Sequence, residues 1–112
     1  MELEKILKAL GEPTRLKIYR CLLEHKHCVR SLSKRLGISE PAISQHLKIM
    51  KEASLVDGAK FGHHTHYVPT QAALDFITGE FAAMQQMSAA LDRDMTVCRC
   101  EYRKENELKW TC

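Results

Sequence analysis

Cys98, Cys100 and Cys112 are the residues of this chain best suited to chemistry. In Cys98-Arg99-Cys100 a single intervening residue lets two thiolates reach one centre. Soft thiolates select As(III), Sb(III), Cd(II) or Pb(II) over hard cations. Arg99 and Arg103 stand close enough in sequence to favour thiolate over thiol. A third sulfur can come from Cys112, if the tail folds back, or from Cys28. As(III) takes three thiolates in a pyramid, whereas Zn(II) takes four ligands, often with histidine. The expected ligands are therefore Cys98, Cys100, Cys112 and Cys28, with As(III) or Sb(III) favoured and Cd(II), Pb(II) or Zn(II) as other occupants. A lone cysteine is more often an incidental surface thiol, but a Cys-x-Cys pair with a third thiol favours binding. The same sulfurs support a redox or sulfur-species alternative, through disulfides or persulfides. His25, His27 and Cys28 form one further cluster and His63, His64 and His66 another, which offers a Zn or Ni site. That site ranks below the thiols, because neighbouring histidines are more often exposed polar residues than ligands. Cys21 lies on an apolar helix and is expected in the core.

Five cysteines in 112 residues are many. An odd count without a secretory signal argues against a disulfide framework. A small thiol oxidoreductase is disfavoured too, since neither a Cys-x-x-Cys nor a strand–helix redox scaffold is present. No nucleophile–base–acid constellation marks another enzyme. No apolar run is long enough to span a bilayer, and with no signal peptide the protein is expected in the cytoplasm, with no membrane partner. The length predicts one domain, over residues 1–96, with a cysteine-containing tail over residues 97–112.

Something must position these thiols, and the pattern upstream is helical. Leu3, Ile6, Leu7 and Leu10 form an amphipathic first helix that ends near Gly11. Pro13 opens a second helix, with apolar surface from Leu16, Ile18, Tyr19, Leu22 and Leu23. Val29–Lys48 then reads as two short helices about a tight turn. Leu32 and Leu36 face a core, Gly37 supplies the turn, and Ile38 plugs the corner. Ser39 is a good N-cap, and Glu40 and Pro41 suit a first helical turn. Ile43, Leu47 and Met50 face inward, so at 100° per residue Pro41, Ser44, Gln45 and Lys48 face out. A helix whose outer face carries small polar and amide groups suits base edges and phosphates.

Leu55–Val68 reads as two short strands with Gly62 at the turn, a hairpin "wing" directly after the recognition helix. A long helix of more than twenty residues follows Pro69 and Thr70. Its Leu74, Ile77, Phe81, Met84, Ser88, Leu91 and Met95 are spaced three and four apart. That heptad seam is the signature of helix pairing. A helix this long outreaches a small domain, so a homodimer interface is expected over packing against the chain's own core. Ser88 and Gly79 weaken the seam and suggest close approach or a bend. After Val97 the periodicity fades into a flexible or ligand-ordered tail. Charge is also divided. Arg15–Lys60 holds ten Lys and Arg against four Asp and Glu, a balance of +6. Phe61–Cys112 holds five against seven, a balance of −2. A basic half around a helix-turn-helix is the footprint of nucleic-acid binding.

The order and residues of these elements resemble the ArsR/SmtB family of winged-helix repressors. The matching stretches are Leu10–Leu16 (LGEPTRL), Leu32–Leu36 (LSKRL), Ile38–Leu47 (ISEPAISQHL) and Lys51–Val56 (KEASLV). The implied fold is mainly α with a small β-hairpin wing, a winged helix-turn-helix dimerising through its first and last helices. The implied activity is a homodimeric repressor that binds operator DNA and leaves it when a metal ion, metalloid or oxidant binds. Its operator would be an inverted repeat, with the recognition helices about 34 Å apart. Three departures matter. Family members often have Gly where this chain has Ser54, and their wings often carry arginines where this one has Lys60, His63, His64 and His66. Members with an arsenic or cadmium site beside the helix-turn-helix have a Cys-x-Cys there, whereas here Cys28-Val29-Arg30 keeps only the first thiol. Other members carry an Asp, His and Glu site on the last helix, where this chain has Asp75 and Glu80 but no histidine. The thiol-rich tail is therefore the expected sensor.

For DNA the expected contacts are Ser44, Gln45 and Lys48, then His46 and Ser39. Gln45 can pair with adenine through its amide, and Lys48 can reach guanine or phosphate. His46 lies on the flank of the buried stripe, so a packed, structural role is equally expected of it. Arg30, Lys34, Arg35 and Lys60 are candidates for phosphate contacts that make affinity salt-dependent.

Overall fold

The computed structural model describes residues 1–96, together with the backbone of Tyr102–Arg103 and Trp110–Thr111. Five helices and a hairpin occupy the main body. They are α1 (Leu3–Leu10), α2 (Pro13–Glu24), α3 (Val29–Leu36), α4 (Glu40–Glu52), β1 (Val56–Phe61), β2 (His64–Pro69) and α5 (Gln71–Ala89). No described helix is long and apolar enough to cross a membrane.

Local chemistry sets most of the boundaries. Glu12 caps α2, accepting a bond from the Arg15 N–H at 2.8 Å, and Pro13 follows it. Gly37 ends α3 in the left-handed region, φ 68°, where a Cβ would be strained. The Ser33 hydroxyl then donates to the Ile38 carbonyl at 2.5 Å and closes the corner. Ser39 caps α4 by accepting from the Ala42 N–H at 3.4 Å.

Packing then gathers the apolar faces. Ile6, Ile18, Leu32, Ile43, Leu47, Met50, Leu55 and Val56 are fully buried, and α4 touches α1, α2, α3 and β1. Cys21 is buried among them, as its helix position predicts. Leu23 turns outward instead and is exposed, because α2 buries Ile18, Tyr19 and Leu22 on its other side.

The wing is an antiparallel pair with Val56 opposite Pro69 and Phe61 opposite His64. Gly62 and His63 form its two-residue turn, with Gly62 at φ 63° in the first central position. A bridge between His27 and Tyr67, with the Tyr67 N–H donating to the His27 carbonyl at 2.9 Å, ties the wing's base to the α2–α3 connection.

Ser54, the residue after the α4 cap, sits at φ 63°, so the chain tolerates left-handed strain at a serine. The Leu55 N–H reaches back to the Met50 carbonyl at 3.0 Å, and Thr70 donates to the Ser54 carbonyl at 2.6 Å, which hold it there. Ser54→Gly is expected to stabilise the protein by about 1 kcal/mol, since glycine meets no Cβ penalty in this region. Urea unfolding at fixed protein concentration checks this, and an unchanged or lower midpoint would show that the strain is already compensated.

The last helix corrects one expectation. It has 19 residues, not more than twenty, and ends at Ala89, so Leu91 and Met95 lie beyond it. Short aspartates compete with the helix there. Asp92 accepts from the Asp94 N–H at 3.0 Å, Asp94 accepts from the Thr96 N–H at 2.9 Å, and the Arg93 guanidinium takes the Ser88 carbonyl at 2.9 Å. The seam also divides along its length. Leu74 and Ile77 pack on the chain's own core, whereas Phe81 and Met84 are exposed, as is Met87 beside the seam. A Cβ built on Gly79 meets nothing within 4 Å, so within this chain that glycine serves no close approach. Beyond α5, Tyr102 pairs with Thr111 and Arg103 with Trp110 across a short antiparallel ladder, β3 and β4, in the stretch expected to be a flexible or ligand-ordered tail.

Candidate nucleic-acid interface

The two sides of α4 carry opposite chemistry. Ile43, Leu47 and Met50 are fully buried, whereas Pro41, Ser44, Gln45 and Lys48 are exposed, and so is the cap Ser39. The helix is held from three sides by α1, α2 and α3, so its outer face is rigidly presented. Glu40 is the one carboxylate in its first turn.

His46 stands apart from that outer face. It is half-buried, with Nδ1 3.4 Å from an Arg15 guanidinium nitrogen and 3.8 Å from a Glu12 carboxylate oxygen. Arg15 also donates through Nε to the Ala9 carbonyl at 2.6 Å, so it knits the end of α1 to α4. The Arg15 backbone N–H holds the Glu12 carboxyl below its ordinary range, with His46 and Arg15 charges adding to this. The structure thus supplies His46 with the packed surroundings that its flank position in the helix foreshadows. Arg15 carries no sequence signal of this role, because its partners lie 6 and 31 residues away.

The expected phosphate contacts divide into two groups. Lys60 is exposed on β1, beside the Phe61 ring that stacks on His66 at 5.4 Å. Arg30, Lys34 and Arg35 lie together on α3, where Arg35 also pairs with Glu24 at 2.7 Å. With Cys28, Ser31, His27 and His64 they line an open cleft of about 650 Å³ between α3 and the wing. A second hollow of about 250 Å³ adjoins it, shares Cys28, Arg30 and His64, and reaches Glu40 and His63.

Cys28 is the N-cap of α3, its Sγ accepting from the Ser31 N–H at 3.4 Å, and it is half-exposed where Cys21 is buried. His27 beside it is buried, with Nδ1 2.7 Å from the Ser31 hydroxyl and Nε2 without a partner. Burial pushes its pKa down, and the Arg35 charge adds to this. Among the described residues no group of three or more His, Cys, Asp or Glu could hold a metal ion. The two histidine clusters therefore do not converge on a shared centre within this chain. Cys98, Cys100 and Cys112 lie outside the described residues.

Helix-turn-helix, adjoining hairpin and flanking helices define a winged helix-turn-helix protein. Residues 12–57 match the family described as "Bacterial regulatory protein, arsR family". The repressor SmtB of Mycobacterium tuberculosis is 40% identical over 63 residues, covering 56% of this chain and 47% of that protein. The arsenical resistance operon repressor of Staphylococcus xylosus is 34% identical over 76 residues, covering 68% of this chain and 73% of that one. An ArsR-like transcriptional regulator from Rhodococcus sp. RHA1 superposes with a TM-score of 0.68 at 28% identity, over 84% of this chain and 86% of its own. This chain belongs to the arsR family of bacterial regulatory proteins. It spans about half the length, 47%, of the mycobacterial relative. The two curated relatives are named as repressors, not as enzymes.

Proposed function

We propose that this protein is a homodimeric transcriptional repressor that reads an inverted-repeat operator in double-stranded DNA and is released from it by a thiophilic metalloid or metal ion. The observation that carries the DNA reading is α4, whose inward residues are fully buried while Ser44, Gln45 and Lys48 are all exposed. A rigid helix with an amide and an ammonium on its free face is suited to base edges in the major groove. Ser39 adds a hydroxyl for phosphate, and Arg30, Lys34, Arg35 and Lys60 supply flanking charge. His46 acts chiefly through Arg15 and Glu12, by fixing α4 on the core.

Dimerisation accounts for the apolar side chains that α5 leaves exposed, chiefly Phe81, Met84 and Met87, and for Leu7 on the adjoining α1. Burying such surface contributes about 25 cal/mol per Å². Residues 1–96 form the DNA-binding and dimerising unit, and residues 97–112 the sensing tail. As(III) or Sb(III) is the favoured inducer, held by Cys98 and Cys100 with a third thiol from Cys112 or from Cys28 of either subunit. Cd(II), Pb(II) and Zn(II) are lesser alternatives. Cys21 is unsuited, because its sulfur is shut in the core. The cytoplasm, where such DNA lies, is its place of action.

Gel-shift titrations test the reading face. Gln45→Ala is expected to weaken operator binding by about 1–3 kcal/mol while leaving random DNA almost unaffected. Lys60→Ala is expected to weaken both equally and to lower the salt slope by about one. Equal losses on operator and random DNA for Gln45→Ala would remove the base-reading role.

A further inference from the structure

The cleft between α3 and the wing sets a thiol among cations. Arg30, Lys34, Arg35 and His64 line it with Cys28, and among the described residues no carboxylate does. Arg30 and Lys34 make no ion pair among the described residues, and Arg35 shares its charge with Glu24 behind it. Among the described residues Glu40 lines the adjoining hollow. His27 lines the same cleft, is more than nine-tenths buried and leaves Nε2 without a partner. Cys28 is half-buried as a residue, and its sulfur accepts a single long bond from the first turn of α3. At about 650 Å³ the cleft has room for a small-molecule ligand.

We propose that Cys28 is a site of reversible S-thiolation by anionic low-molecular-weight disulfides, with Arg30 and Lys34 recognising their carboxylates. The Cys28 thiolate attacks one sulfur of the disulfide. A mixed disulfide forms, the original S–S bond breaks, and the second half leaves as a thiolate. Cys28 is oxidised as the departing thiol is reduced, and a free thiol reverses the step. Fixed positive charge around a thiol selects an anionic partner by raising its local concentration. The adduct leaves carboxylates on the α3 face that the DNA reading fills with phosphate. That consequence rests on the proposed DNA binding, whereas the modification itself does not.

Intact-protein and peptide mass spectrometry on the full chain test this. The probes are oxidised glutathione, which is anionic, and hydroxyethyl disulfide, which is neutral, each normalised to its rate with free cysteine. At the peptide containing Cys28, oxidised glutathione is expected to react about tenfold faster. The Arg30→Gln/Lys34→Gln protein is expected to lose that preference while still reacting with the neutral probe, which shows that the fold and the thiol are intact. Cys28→Ser is expected to show no adduct at this peptide. Equal normalised rates for the two probes, or adducts confined to Cys98, Cys100 and Cys112, would overturn the assignment. A preference for glutathione without any change in operator affinity would leave the site standing and locate the failure in the DNA reading.

Discussion

Leu47→Ala is expected to destabilise the protein by about 3 kcal/mol, because it empties a fully buried position on the helix at the centre of the core. Leu47 is 1% exposed, and its helix, α4, touches α1, α2, α3 and β1. The loss combines the transfer free energy of three carbons with the cavity left behind. A domain of this size is stable by roughly 5–15 kcal/mol, so the change removes a large share. Gln45 stands two residues earlier on the same helix and is exposed. Gln45→Ala should therefore move stability by less than about 0.5 kcal/mol while changing DNA preference. Denaturant unfolding at one protein concentration measures both. A loss under about 1 kcal/mol for Leu47→Ala would mean that α4 is not anchored as described, and its rigidity as a reading helix would fall with it.

The second large effect concerns release from DNA. With As(III), the wild-type protein is expected to lose operator affinity by about 5–150-fold, the usual span of a coupling of 1–3 kcal/mol. Cys98→Ser/Cys100→Ser is expected to bind operator normally and to lose that response. Such coupling requires that the ligand bind the DNA-incompetent dimer better than the competent one. Drawing the tail's thiols together is suited to this, because the tail follows the exposed apolar part of α5 and the spacing of two recognition helices depends on dimer geometry. Titration with As(III), Sb(III), Cd(II), Zn(II), Ni(II) and an oxidant ranks the inducers. Arsenite release that persists in the doubly substituted protein would remove Cys98 and Cys100 as the sensor.

Much of the fold is legible along the chain because its signals are local. The turn at Gly37, the cap at Ser39, the hairpin turn at Gly62 and the buried triplet Ile43, Leu47 and Met50 each depend on residues a few positions apart. Ser54 marks where a local rule bends, since the Leu55 N–H and the Thr70 hydroxyl hold a serine where glycine is preferred. The length of α5 was less legible. A heptad seam continues through Leu91 and Met95, but Asp92 and Asp94 offer the backbone a competing set of bonds that hydrophobic spacing does not register.

By its own pattern the sequence determined the helix-turn-helix, the wing, the buried and outward faces of α4, and the presence of a Cys-x-Cys pair. Those follow from period, caps and residue type, which act over one or two turns. Only the tertiary structure decided which polar groups keep a free face. It set His46 against Arg15 and Glu12, and divided the α5 seam into core-packed and exposed halves. It also brought Cys28, Arg30, Lys34 and His64 around one cleft, although the last lies more than thirty residues from the first. Such gatherings depend on how α3 and the hairpin dock across the core, and that docking is fixed by side-chain packing between distant segments.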